Sequence, residues 1–317
     1  MRGSSVSWQV SLVLRFKRAK TAANGRVGLE FSHQGIALAQ VCRPEGLAPQ
    51  LMTCIYREAP AAQRASVLRD MVHELGLGGL PANLVLHSGD YRTFLLEAPD
   101  VPADELRDAM RWRVKDMLGE PLDEVVLDCF ALPADAYRGR MRMAYCAVLG
   151  KTHMNQCAAW LRDSGLRLQS IDIAEMAYRN IGLLAGAPDL NIAVLRLRTT
   201  ESMICIQKGA DLYMARRLEQ SARGGADDLA RMTLEIQRSL DYFESQIGAG
   251  RLNRILLLPM KHQAAEASAE LAAGLATPLQ VLDLRDLFPG QPAAELTDLQ
   301  QVQCLGAIGA ALRQERA

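Results

Sequence analysis

RVGLEFSHQGIALAQV, residues 26–41, is the stretch whose reading decides the fold. A short apolar run (26–31) stops at the polar turn Ser32, His33, Gln34, and a second aliphatic run (35–42) departs from Gly35. Short aliphatic runs bounded by glycine and polar residues read as strands, and a third run at 50–56 extends the pair into a meander. The same opening recurs in the second half, at 191–197, 202–207 and 212–218. In each half a helix-like segment follows, then a buried-looking strand, at 83–87 and at 254–258. A helix at 152–164, a strand at 167–173 and a helix at 174–184 have counterparts at 262–275, 279–284 and 299–313. A meander, a helix and a further parallel strand, done twice, is an internal duplication of α/β units around mixed sheets.

One segment has no counterpart. Residues 91–149 read strand (92–97), helix (102–118), strand (125–130), strand (141–149), a βαββ insertion in the first half. Its helix sets Leu106, Met110, Val114 and Met117 on one face, with Gly119 to end it and Pro121 to prevent resumption. The resulting organisation is a basic leader (1–25), a first lobe (26–90 and 150–188), the inserted subdomain (91–149) and a second lobe (189–317).

Composition narrows the function. The chain has 317 residues, 49% hydrophobic and 23% charged, with a formal net charge of zero, so no global field favours nucleic acid or an acidic substrate. Seven cysteines without a CxxC pair read as small core residues of a reducing compartment. Five histidines without HxxxH or HExxH spacing give no metal site. The apolar stretch 6–14 is broken by Ser7, Gln9 and Ser11, far short of the ~20 residues of a membrane span, and most local basic residues follow it, against a signal peptide. Arg2, Arg15, Lys17, Arg18 and Lys20, with Arg26 just beyond, make the start of the chain basic. It reads as a solvated tail or as a weak contact with an anionic membrane surface.

Two runs carry a family resemblance. LRDAMRWRVKDMLGEPLDEVVLD (106–128) and LEIQRSLDYFESQ (234–246) resemble segments of the PilM branch of the actin-like ATPases, from type IV pilus assembly, and the altered loops within that branch are most like its MSHA pilus members. The resemblance implies a two-lobed actin-like fold of the FtsA and PilM type, a duplicated ribonuclease-H-like unit with the βαββ subdomain inserted in lobe one. It also implies a place at the cytoplasmic face of the bacterial inner membrane. Nucleotide binding in this family needs two strand turns that aim backbone N–H groups at phosphate, an acid in each turn for metal, and a Gly-Gly turn for the adenosine. Here Glu30 stands for the first acid, Ser32 for a glycine and Ala37 for a lysine. Arg196 and Arg198 fall near the second acid and glycine, and Pro259, Met260 and Lys261 replace the Gly-Gly turn. The expectation is a chain without catalysis, cofactor or metal.

The family's role implies a bitopic inner-membrane partner of the PilN type. Its cytoplasmic peptide would dock between the first lobe and the insertion along residues 92–117, with Arg107, Arg111, Trp112 and Arg113 as candidates. Trp112 reads equally as a packed aromatic at the subdomain seam. Self-association stays open. Alternatives are an active actin-like ATPase and the cytoplasmic part of a type II secretion L-type protein, a family that continues into a membrane span not seen here. Asp283 with Asp286 reads as solvated strand-end acids, and His33 and His87 as polar cleft lining. Ser32 lacks a GxSxG elbow, and GLGGL (76–80) lacks the strand and lysine of a P-loop.

Overall fold

The computed structural model describes residues 25–186, 188–198, 201–218, 226–248, 250–260 and 264–314. Most of the basic leader and Lys261 lie outside the described residues.

The first meander comprises β1 (Gly25–Phe31), β2 (Gly35–Cys42) and β3 (Gln50–Glu58). Helix α1 (Arg64–Leu75) follows and ends on Gly76, whose φ of 66° is the left-handed cap that glycine permits. Strand β4 (Pro81–Val85) then pairs parallel with β1. The insertion supplies β5 (Arg92–Glu97), α2 (Leu106–Lys115), β6 (Val125–Ala131) and β7 (Met143–Gly150). The first half closes with α3 (Lys151–Asp163), β8 (Arg167–Asp172) and α4 (Ala174–Ala185). The second half repeats the plan with β9 (Asn191–Arg196), β10 (Ser202–Lys208), β11 (Asp211–Leu218), α5 (Ala226–Tyr242), β12 (Arg254–Leu257), α6 (Ala264–Gly274) and β13 (Leu279–Val281). It ends with α7 (Gln291–Ala294), α8 (Asp298–Gln303) and α9 (Leu305–Ala311).

The duplication is literal. The two five-stranded sheets run β3-β2-β1-β4-β8 and β11-β10-β9-β12-β13, antiparallel in the meanders and parallel beyond them. The insertion folds as a sheet of order β5-β7-β6, covered by Leu106, Met110 and Val114 of α2. Three expected elements differ. Helix α2 stops at Lys115, before Gly119, and Met117 lies outside the buried stripe at 48% exposure. The final helix is two, broken at Cys304. Strand β13 ends at Val281 because Asp283 turns the chain by accepting the Arg285 N–H at 2.9 Å.

The outer face of each sheet is covered locally. Leu29, Leu38, Leu68, Met71 and Leu161 form one core, and Leu195, Ile204, Met232, Ile236 and Leu271 another. The inner faces are covered by exchange. Helix α4, from the first half, packs on β9 and β10, whereas α9, from the second half, packs on β1, β2 and β4. The two helices also pack on each other, and one core runs through Ala37, Ala177, Ile181, Val194, Cys205 and Ile308. Close approach at the crossing requires glycine. A Cβ at Gly309 would sit 2.4 Å from the Ala177 carbonyl oxygen, and one at Gly28 1.9 Å from that of Ala307. Asn83 and Asn180 donate amide hydrogens to the Ala310 and Gly309 carbonyls at 3.0 and 2.9 Å.

The insertion also grips the second lobe. The Tyr145 hydroxyl donates to the Ala215 carbonyl at 3.1 Å and accepts the Ala215 N–H at 2.9 Å, occupying the edge of β11. Arg138 donates to the Ser245 carbonyl at 2.8 Å from a turn in which Tyr137 and Arg138 both hold positive φ.

The crossing gives a test whose sign is informative. Alanine is the better helix former by up to about 1 kcal/mol, yet Gly309→Ala is expected to destabilise the protein by roughly 1–3 kcal/mol through overpacking. Chemical denaturation measures it, and a neutral or stabilising result would show that the helices do not meet so closely.

Candidate functional site

Strand alternation places the site. In β1, Val27, Leu29 and Phe31 enter the outer core, so Gly28 and Glu30 face inward against α9. In β9, Ala193 and Leu195, with Leu197 just past its end, do the same, so Ile192, Val194 and Arg196 face the crossing helices. The two halves therefore aim corresponding strand ends at one seam, and the side chains delivered there carry opposite charge.

Glu30 is 8% exposed, and its register partner on β2 is the buried Ala37. The carboxylate abuts Gly306 so closely that a Cβ there would lie 2.2 Å from Oε2. Arg196 is 2% exposed. Its guanidinium donates to the Pro259 carbonyl beyond β12 and to the Val302 carbonyl of α8, the latter at 3.2 Å. Burial holds the pKa of Arg196 below its usual value, while Tyr178 of α4 and Glu30 favour its charge. One side chain thus ties together β9, the segment after β12 and α8, the segment after β12 being where Pro259 and Met260 stand.

The turn at Ser32 is closed on itself. The Ser32 N–H donates to the Gly35 carbonyl at 2.9 Å, the Gly35 N–H donates to Ser32 Oγ at 3.1 Å, and Arg64 holds the Ser32 carbonyl at 2.6 Å. Two backbone donors of the turn are thereby used internally. On the opposite side the Arg198 N–H donates to Ser202 Oγ at 3.3 Å.

Polar links cross the mouth of the seam. Arg198 reaches His87 Nε2 at 3.2 Å, and the His87 ring stacks edge-on with His33 at 5.2 Å between centroids. The Ser88 hydroxyl donates to Glu201, which also pairs with Arg217 at 3.2 Å. Arg217 in turn lies over the Tyr91 ring at 5.1 Å. Sequence reading named His33, His87 and Arg198 but missed Ser88, Glu201, Arg217 and Tyr178. Their only signal was position: Ser88 three residues after β4, Glu201 immediately before β10, Arg217 near the end of β11 and Tyr178 on α4.

The four α2 candidates do not share a face. Arg111 donates to the Leu122 carbonyl at 2.9 Å and Arg113 to the Glu97 carbonyl at 2.8 Å, on opposite flanks of the buried stripe. Arg107 is exposed beside Asp108 at 3.7 Å. Trp112 points outward at 68% exposure, with the Lys115 ammonium 5.6 Å from its ring centroid. The packed-seam reading of Trp112 is overturned, because the indole lies diametrically opposite the Leu106–Met110–Val114 stripe.

Other groups have structural duties. Asp283 holds Arg285, which also contacts Asp298 at 3.1 Å. Cys157 Sγ and Asp90 Oδ2 meet the same His153 nitrogen, at 3.7 and 3.6 Å, whereas an activated nucleophile needs the base's two nitrogens to serve different partners. Burial pushes the Cys157 thiol up to about 11. Among the described residues there is no group of three or more His, Cys, Asp or Glu able to hold a metal ion, and no helix is long and apolar enough to cross a membrane.

No protein-family model and no curated protein matches the sequence. Solved structures do match in fold. The chain is similar to a structure described as the PilM-PilN type IV pilus biogenesis complex, with a TM-score of 0.68 and 20% identity over 90% of this chain and 97% of that one. It is also similar to the cytoplasmic domain of EpsL, an inner membrane component of the type II secretion system of Vibrio cholerae (TM-score 0.52, 12% identity, 88% and 93% covered). A Bacteroides thetaiotaomicron protein with an actin-like ATPase fold and unknown function matches at 0.53, with 10% identity over 90% and 97%. The architecture is the two-lobed actin-like fold that PilM carries.

The seam should be sensitive to acid. Both His87 nitrogens face N–H groups, Nδ1 lying 3.3 Å from the Gly89 nitrogen and Nε2 3.2 Å from Arg198, and a neutral imidazole can accept from only one of them while the imidazolium can accept from neither. Burial and then Arg198 lower its pKa below 6.5, with Glu30 and Asp90 opposing. The unfolded chain therefore binds the proton more readily, and stability falls as pH drops below about 6.5. Thermal melts of wild type and His87→Gln between pH 7.5 and 5 should show a smaller acid-side loss in the variant. Equal losses would remove His87 from the account.

Proposed function

We propose that this chain is a non-catalytic scaffold of type IV pilus biogenesis, MshI-like and of the MSHA type, working at the cytoplasmic face of the inner membrane. In this reading it docks the cytoplasmic peptide of a bitopic inner-membrane partner of the PilN type. The observation that carries the reading is Arg196. A buried guanidinium stands where the family resemblance calls for a metal-binding acid, and it is engaged with the Pro259 and Val302 carbonyls. A cation there opposes a second cation, and the backbone turn at Ser32 has two of its donors occupied. The fold is retained for shape, and the seam is filled from within.

The likeness to the PilM-PilN complex supports the choice of partner class, and Trp112 supports the insertion as the docking element. An exposed indole with the Lys115 ammonium over its ring offers a large apolar surface beside positive charge, the composition of an interface anchor. Peptide docking along residues 92–117 would use that surface together with the β5 edge.

Titrating the cytoplasmic segment of the membrane partner into the protein tests this. Binding is expected to be saturable, and Trp112→Ala should weaken it at least about tenfold with an unchanged thermal midpoint. Absence of binding by the wild type would overturn the scaffold reading, and undiminished binding by the variant would move the docking surface off α2.

A further inference from the structure

Strands β6 and β7 bring Cys129 opposite Cys146. The Leu132 N–H donates to the Met143 carbonyl and the Lys151 N–H to the Glu124 carbonyl, each at 2.8 Å. Those positions are hydrogen-bonded pairs of the antiparallel ladder. Counting in twos from either end makes Cys129 and Cys146 a non-hydrogen-bonded pair, the kind in which opposing side chains come closest. An independent sign agrees. The Cys129 N–H turns away from the ladder and donates to its neighbour Asp128 at 2.9 Å. Non-hydrogen-bonded partners have Cα atoms about 4.5 Å apart, inside the roughly 4.4–6.8 Å that a disulfide spans. Both residues are free thiols, and their sulfurs lie 2.8 Å apart.

We propose that Cys129 and Cys146 are a redox modification site, oxidised by a hydroperoxide to a reversible disulfide that staples β6 to β7. Cys146 is wholly buried beneath Leu106, Met110 and Val114 of α2, and Cys129 is partly exposed, so the pair has one accessible side. The Cys129 S–H lies against Cys146 Sγ, so a proton shared between the two sulfurs favours a single thiolate of the pair. A thiolate of the pair attacks one peroxide oxygen. An S–O bond forms, the O–O bond breaks, and hydroxide leaves to take up a proton as water. The neighbouring thiol then displaces the sulfenic oxygen, forming S–S, breaking S–O and releasing a second water. Two thiols and one hydrogen peroxide give one disulfide and two waters, and a dithiol reductant reverses the change.

The location gives the staple a consequence. One residue along, Phe130 stacks on Tyr145 at 5.5 Å from the opposite face of the same strand pair, and Tyr145 is the residue that grips Ala215 of β11. Oxidation would lock the register of the two strands through which the insertion holds the second lobe.

Treatment of the full chain with stoichiometric hydrogen peroxide, followed by intact mass, alkylation in denaturant and peptide mapping, tests the proposal. The expected result is a loss of two hydrogens, a cross-linked pair of peptides containing Cys129 and Cys146, and two of the seven thiols protected from iodoacetamide until dithiothreitol is added. Cys129→Ser should abolish both the mass loss and the protection. A gain of oxygen on Cys129 without a cross-link, a link between other cysteines, or seven thiols still reactive would each overturn it. Mapping of the wild type decides the matter even if the variant folds poorly.

Discussion

Everything in this molecule depends on the crossing of α4 and α9. Each helix belongs by sequence to one half and by packing to the other, so neither sheet has a complete inner face without its sibling. The contact is close because Gly28 and Gly309 leave no Cβ between helix and neighbour. It is specific because Asn83 and Asn180 donate to the carbonyls of Ala310 and Gly309 in the last turn of α9. Arg26 and Arg43 complete the end by donating to the Arg313 and Leu312 carbonyls at 2.8 and 2.7 Å. Separating the halves would expose a continuous apolar core and unpair these groups together, so the halves are mutually dependent rather than two linked domains.

The crossing also dictates what the seam can contain. Inward-facing positions at the ends of β1 and β9 converge on it, and they hold Glu30 and Arg196. Burying a charge alone would be costly, and a guanidinium is tolerable where carbonyls accept its hydrogens. Arg196 can stay buried because Pro259 and Val302 accept its hydrogens, and Tyr178 and then Glu30 favour its charge while Arg198 opposes it. Outside this pair, the Arg198–His87 and Ser88–Glu201 contacts close the seam from lobe to lobe. The insertion reinforces the closure from a distance, since Tyr145 and Arg138 bind lobe two. An open-and-shut cycle would have to break contacts at three separate places.

Much of this was legible in the sequence. Meander strands announced themselves through short aliphatic runs between glycines and polar turns, and doing so twice exposed the duplication. The insertion was visible as the segment without a twin. What escaped is what no local pattern encodes. Exchange of α4 and α9 is a matter of partner, and amphipathic spacing names a buried face without naming what covers it. Helix α2 ends at Lys115 and Met117 beyond it faces solvent, so the apolar stripe over-counted by one turn. Trp112 has the composition of a core residue and the position of a surface one. At the seam, Glu30, Arg196 and Arg198 were found by register with a family pattern, whereas Ser88, Glu201 and Tyr178 are ordinary residues until the lobes come together.

The claim at the centre of this account is that an internal guanidinium fills the place a nucleotide and its metal would take. Isothermal titration with ATP, in magnesium and again in EDTA, at protein concentrations sensitive to millimolar affinity, tests it most directly. The account predicts heats of dilution alone in both conditions. Saturable, magnesium-dependent binding would contradict it and return Glu30 to the role of a metal-binding acid.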